Sequence, residues 1–425
     1  MLTAGFATVD ITPALGSDMP GGFSPRHATG VLDPLGVHAC VIEDEVPFAC
    51  VGVDAVSLPA AVLRSGWRKL AGRCPLPYES LLVAASHTHC GGPAHAVLGT
   101  DADPAYQERI SEAIAEAVAQ AWEQRVPATF AAGSAACPGL AFNRRWLMRH
   151  GGEATNPGKR NADAIRPAGP ADDEVAVLAC HGRDGKLLGC IGNFACHSTV
   201  IWGDRFSGDY SAYWREALGA PLVFLNGACG DINQIDFSNP DSKESGVEHA
   251  RQMGRALAEA TARALAGAER RTTIAIGQSW ATLRLALRVP APEQQAEDAE
   301  LVRVPQAEWT SRHWQARDRL LLVESLADRD FLECDVALHR VGPAVLPAAP
   351  WQPFCEFGLR LKRDIRAAVV LPAILANGNI GYVPTPQAFI GGGYEPTLCR
   401  GSKLQPEAGD RICEALVGLA ERDGR

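Results

Sequence analysis

No apolar stretch in this chain of 425 residues reaches the roughly 20 residues that a membrane-spanning helix needs, so no transmembrane segment is expected. The opening residues, Met1 to Pro13, lack the basic start and long apolar core of a secretory leader. They read instead as a first strand and turn. Positive charge is short too: 40 Lys and Arg stand against 49 Asp and Glu, a formal net charge of −9. No basic run is dense enough to act as a tail, and a nucleic-acid partner, which needs a basic stripe, is excluded. No Cys-x-x-Cys pair occurs among the 13 cysteines, which argues against a cysteine zinc cluster. Their count is odd, and Cys40, Cys50, Cys180, Cys190 and Cys196 lie in apolar runs, where Cys acts as a small hydrophobe. Reduced, buried thiols in the cytoplasm are expected. Gly227–Asp231 lacks the Lys-[Ser/Thr] ending of a P-loop, so nucleotide binding is not expected.

What is present is core material. Hydrophobic residues make up 47% of the chain and charged ones 21%, with 42 Gly and 29 Pro to serve many strand-loop junctions. Apolar runs at 37–43, 48–54, 174–180 and 187–195 read as strands. Asp103-Pro104 opens a helix, Asp as cap and Pro at the first helical position, with an apolar stripe of Ile110, Ile114, Val118 and Trp122. Further helices are expected at 244–266, around Phe354–Leu361 and at 409–421, and a charged helical insertion at about 287–333. Strands alternating with helices give the α/β class, with mixed sheets flanked by helices and one domain over 1–425.

The chemistry concentrates where apolar runs stop. Leu81–Ala85 ends in Ser86-His87-Thr88-His89-Cys90-Gly91-Gly92, and Ile191–Cys196 ends on His197. Leu222–Leu225 runs into Asn226–Asn233, and Val369–Leu375 into Ala376–Tyr382. Ligands bind at the carboxyl edge of open α/β sheets, so parallel strands in one sheet would bring these loops to one pocket. In an extended segment His87 and His89 would point to opposite faces, one toward a metal and the other toward substrate.

Laid side by side, these motifs resemble the catalytic domain of the neutral ceramidase family, in order along nearly the whole chain. The matching residues are Ala4-Gly5 with Asp10-Ile11-Thr12, His87-Thr88-His89, Asn143-Arg144, His197, Gly230-Asp231, Tyr382-Val383-Pro384-Thr385 and Tyr394-Glu395. The resemblance implies one Zn2+ ion with His87, His197 and Tyr382 as ligands. It also implies His89, Arg144 and Tyr394 as substrate-side residues. Two positions depart from the family. Asn233 stands where the family has its serine nucleophile, and Gln352, in Pro350-Trp351-Gln352, where it has a ligand Glu. Glu356 could take the Glu's place only if the segment shifts. No secretory signal and no C-terminal β-sandwich domain are seen in the sequence.

These departures point away from ceramide at a membrane, toward a small soluble substrate. The expectation is a zinc-dependent hydrolase of an amide bond, working by metal-activated water. His89 and Tyr394 would stabilise the oxyanion or shuttle the proton, and Asn233 would orient substrate or water. The alternatives are a zinc-assisted C–N lyase, or a binding protein with a degenerate metal site. Arg144, Arg145, Lys159, Arg160 and Arg166 form either a solvated loop or an anion clamp, which would admit an anionic substrate. Asp209 is expected as a helix cap or as a partner orienting His197. The remaining histidines, His95 among them, are read as structural, and a homo-oligomer is left open.

Overall fold

The computed structural model describes residues 1–327 and 329–423. Its centre is a mixed sheet of eight strands, ordered Leu222–Asn226, Leu187–Phe194, Glu174–Gly182, Val126–Ala136, Thr3–Asp10, Gly36–Glu43, Pro47–Val53 and Leu81–Ala85. Neighbours are antiparallel except at the two ends of this order, where the last two strands on each side run parallel.

Side chains alternate between two cores, as the two-residue period of a strand requires. Val37, Ala39 and Val41 face one core; Cys40 and Ile42 face the other. Leu81, Val83 and Ala85 separate from Leu82 and Ala84 in the same way. Burial on both faces is why these segments read as unbroken apolar runs. Helices Pro104–Glu123 and Val247–Leu265 cover the first core, the former capped by Asp103, which accepts from the Ala105 amide. The second core lies under a sheet of four strands, Ile276–Ala286, Phe331–Val341, Ala344–Ala348 and Val369–Val370. Helix Ala408–Asp423, with Cys355–Asp364 beside it, packs on the outside of that sheet. The chain therefore stacks helices, sheet, sheet and helices, an α/β fold of mixed sheets flanked by helices.

Convergence of the strand-end loops does not come from a parallel sheet. The large sheet curls until the two ends of its strand order meet. Gly52 sits where a Cβ would lie 2.9 Å from the Phe224 carbonyl oxygen, so glycine is what lets the strands approach. The run at 369–375 is a strand only at Val369–Val370; beyond it the Asn377 amide nitrogen bonds to the Val83 carbonyl.

Ala286 and Phe331 pair directly, so the chain leaves and re-enters the small sheet at one place. Between them stand helices Pro292–Leu301 and Ser311–Leu326, tied together where Arg319 Nε meets Asp298 Oδ2 at 2.8 Å. Residues 331–333, expected in the insertion, belong to the strand, and Asp328 lies outside the described residues. All 13 cysteines are free, and burial pushes the Cys180 thiol up to about 12. No helix among the described residues is long and apolar enough to cross a membrane.

Candidate functional site

Strand Leu81–Ala85 ends in a sharp turn: His87 sits in the left-handed region at φ 67°. His87 and His89 therefore do not alternate across a strand, and their rings meet edge to face at 4.9 Å. His197 comes from the loop after strand Leu187–Phe194, its ring 4.5 Å from that of His87. Asn226, the last residue of the neighbouring strand, fastens the two loops. Its Nδ2 donates to the carbonyls of Ser86 (3.2 Å) and Cys196 (2.9 Å), and its Oδ1 accepts from the Cys196 amide (3.3 Å). Nothing in the sequence singled out Asn226 for this role.

Each of the three imidazoles commits Nδ1 to a main-chain carbonyl: His87 to Val56 at 2.7 Å, His89 to Gly21 at 3.0 Å and His197 to Cys229 at 2.6 Å. A carbonyl only accepts, so each Nδ1 carries the hydrogen and each Nε2 keeps a lone pair. Burial lowers the His87 pKa to about 4. It takes His89 and His197 well below the usual range, with the neighbouring cations and histidines adding to the effect. Their ligand atoms lie within 4.8 Å of one another. Neutral imidazoles with a fixed tautomer are what a metal requires. The buried Nε2 of His89 has no hydrogen-bond partner among the described residues, the mark of an atom kept for a bound group. Gly21 makes room for that ring: a Cβ there would fall 2.5 Å from His89 Nδ1.

Gln352 and Tyr382 stand opposite each other on two short parallel strands, Trp351–Pro353 and Gly381–Val383. Gln352 Nε2 donates to His87 Nε2 (2.8 Å) and His197 Nε2 (3.1 Å); the Tyr382 hydroxyl donates to His197 Nε2 (3.3 Å). Such spacings are close to the ~3.3 Å edge of a tetrahedron with zinc–nitrogen bonds of about 2.0–2.1 Å. A half-turn of the Gln352 amide would offer its oxygen instead. The residues expected at the metal are therefore together, and His89 joins them as a third imidazole rather than standing apart.

Arg144 is not an open anion clamp. Its Nε donates to Glu395 Oε1 (2.8 Å) and its Nη2 to the Gly230 carbonyl (2.7 Å) and the Tyr382 oxygen (3.2 Å). It thus aims Tyr382. Glu395 is shared with Arg145, and although burial opposes its charge, these two arginines hold its pKa below the usual value. Lys159 and Arg160 pair with Glu244 and Asp241, and Arg166 is exposed. Tyr394 stacks edge-on to Tyr382 at 5.8 Å; burial, then its neighbour, raises its pKa well above the phenol range.

Three expectations are corrected. Asn233 donates through Nδ2 to Asn156 Oδ1 (3.0 Å) and accepts through Oδ1 from the Ile235 amide (3.0 Å) in an Asx turn, and it is not among the residues that line the cavity of the histidine cluster. Of the two roles expected for Asp209, the helix cap is present, its carboxylate accepting from the Tyr210 amide at the start of helix Tyr210–Leu218; it also accepts from the Ile201 amide and does not touch His197, whose Nδ1 is already satisfied. Glu356 lines a separate cleft with Arg360 and Arg363, so it does not replace a ligand Glu. A fourth concerns His95, which lines the same cavity as the histidine cluster. That cavity holds about 230 Å³ and is bounded by His87, His89, Gln352, Tyr382 and Tyr394 along with apolar Val56, Val97, Leu98 and Leu322.

Fold and site together define an α/β protein with a metal-capable histidine cluster at the strand ends of a curled mixed sheet. Among solved structures the fold is similar to that of neutral ceramidases. The neutral ceramidase from Pseudomonas aeruginosa matches with a TM-score of 0.74 over 99% of this chain and 74% of its own, at 19% identity. A ceramidase complexed with C2 gives 0.76 over 100% and 75%, at 17% identity. The chain has a neutral ceramidase-like fold. No protein-family model matches it, and no curated protein does.

Proposed function

We propose that this protein is a metal-dependent hydrolase that cleaves the amide bond of a small soluble substrate, with zinc as the ion and water as the nucleophile. The observation that carries this reading is the trio of neutral imidazoles whose Nδ1 atoms are fixed by main-chain carbonyls and whose Nε2 lone pairs converge, two of them on the Gln352 amide and that of His89 on no partner among the described residues. Its fold likeness to two ceramidases supports the amide as the bond. His87, His89 and His197 would hold the ion, with Gln352 or Tyr382 completing the set. Three neutral histidines are a known catalytic zinc environment, so a missing carboxylate does not disqualify the site. When bound, zinc would supply Lewis-acid polarisation of a carbonyl and lower the pKa of a bound water to about 7.

The chain's own residues do the rest. Arg144 fixes the Tyr382 phenol beside His197. Tyr394 lines the cavity and keeps its proton, so its hydroxyl can donate to an oxygen that gains charge. Such a donor is commonly worth about two to three powers of ten in rate. Asn233 has no ionisable oxygen, which leaves water as the attacking group.

Protein purified without chelator should carry zinc and hydrolyse short amides, lose activity on chelation and regain it with zinc. Product acid made in heavy-oxygen water should carry the label. Amide cleavage that survives full metal removal, or a covalent adduct trapped on a Ser or Cys, would overturn the mechanism. Unlabelled products with a broken C–N bond would show a lyase.

A further inference from the structure

The cavity wall holds a cation, Lys403, that makes no ion pair with a carboxylate among the described residues. Lys403 Nζ donates to the carbonyls of Ile380 and Arg400, each at 2.8 Å, which uses two of its three hydrogens. Asp318 is the one acid among the described residues lining the cavity, and Arg400 holds both of its oxygens, through Nε at 2.7 Å and the main-chain amide at 2.8 Å. Burial lowers the Lys403 pKa to about 8, so the ammonium is charged at neutral pH although its surroundings disfavour charge. An unpaired cation in such a place is costly until an anion joins it.

A second donor stands in the same wall. Asn379 Nδ2 approaches His95 Nδ1 at 3.4 Å and Ser57 Oγ lies 2.8 Å from it, so Nδ1 is the acceptor and the ring hydrogen sits on Nε2. Burial, with Lys403 and Arg400 adding to it, lowers the His95 pKa to about 4 and keeps the ring neutral. Apolar Val56, Val97, Leu98 and Leu322 lie in the same lining as both donors and the histidine cluster. This is the composition of a site for a short molecule, apolar in part, with an anionic group.

We propose that Lys403 is the docking point for a substrate carboxylate, and that the protein's substrates are short N-acyl compounds bearing one acidic group. The amide half rests on the hydrolase reading above; the carboxylate half does not need it. The sequence offered an anion clamp as one reading of the basic group Arg144, Arg145, Lys159, Arg160 and Arg166, but in the fold Arg144 Nε and Nη2 are held by Glu395, Gly230 and Tyr382.

The test uses butanoate as probe and butanamide as its uncharged counterpart, titrated calorimetrically into the purified protein before and after metal removal. The metal-free arm separates a carboxylate on Lys403 from one on the ion. Butanoate should bind more tightly than butanamide in both arms. Lys403→Gln should weaken butanoate by about tenfold or more, as loss of a hydrogen bond to a charged group does, and Lys403→Arg should restore part of it. In turnover, the preference in kcat/KM for N-acetylated amino acids over the matching amino alcohols should fall by a similar factor in Lys403→Gln. Equal affinity of the wild-type protein for the two probes overturns the proposal without recourse to any variant. So does unchanged butanoate affinity in Lys403→Gln. Carboxylate binding without hydrolysis of either amide would sink the hydrolase reading and leave the docking site standing.

Discussion

The two walls of the cavity are built by different means. On the histidine wall every Nδ1 is held by the main chain, and the main chain is held by the large sheet and by Asn226. On the other wall Asp318, Arg400 and Lys403 are held by side-chain pairs and by carbonyls of short loops, and Asp318 comes from an excursion outside the sheets. Main-chain anchoring leaves a ring no alternative rotamer, which suits a reaction centre that tolerates only fractions of an ångström. Side-chain anchoring can be rewritten by substitution without moving the first wall. Under the proposed function, the chemistry and the choice of substrate are therefore expected to be separable.

The largest test of that separation is metal content. His87→Ala or His197→Ala should bring zinc and amide hydrolysis to background by elemental analysis and assay, and His89→Ala should weaken both. Asp318→Asn, on the other wall, should leave zinc content at the wild-type level; a loss there would show the walls to be coupled. Next is Asn226→Ala, which strips donors from the buried carbonyls of Ser86 and Cys196. It should cost about 2–3 kcal/mol in thermal unfolding, and zinc affinity should fall with it. Lost stability with intact affinity would mean the histidine loops do not depend on this clasp. Gly21→Ala is more local. Its Cβ collides with the His89 ring, and zinc affinity should fall by about tenfold while His87 and His197 stay in place. The smallest effect is expected from Gln352→Glu, which adds a negative charge beside His87 and should raise zinc affinity by up to about tenfold in competition with a chelating dye. No change in a folded variant would place Gln352 outside the metal's reach.

Much of this was legible in the chain. Short apolar runs ending in polar loops located His87, His197 and Tyr382, the family resemblance added Gln352, and the two-sided burial of the strands explains why the runs stood out. Three things were not. The His87 turn depends on a left-handed backbone that no local signal announces, so the meeting of the His87 and His89 rings was not foreseen. Arg144 and Asn233 look available in sequence; only the folded chain brings Glu395 and Asn156 to occupy them. Lys403 and His95 gain their meaning from the cavity lining they share, although they lie far apart in the chain. Local pattern reports the strand ends, and long-range packing decides which polar groups are left free.

The pairing of Ala286 with Phe331 has an evolutionary and practical side. A segment whose ends sit on adjacent strands, about 5 Å apart, can serve as a cassette: changes in its length add only slowly to the cost of closing the loop, provided that the packing of Leu322 and Leu326 on the core is kept. The helix that brings Asp318 to the cavity lies inside that cassette. Grafting a different hairpin between the same two residues offers a route to a new substrate range on an unaltered reaction centre.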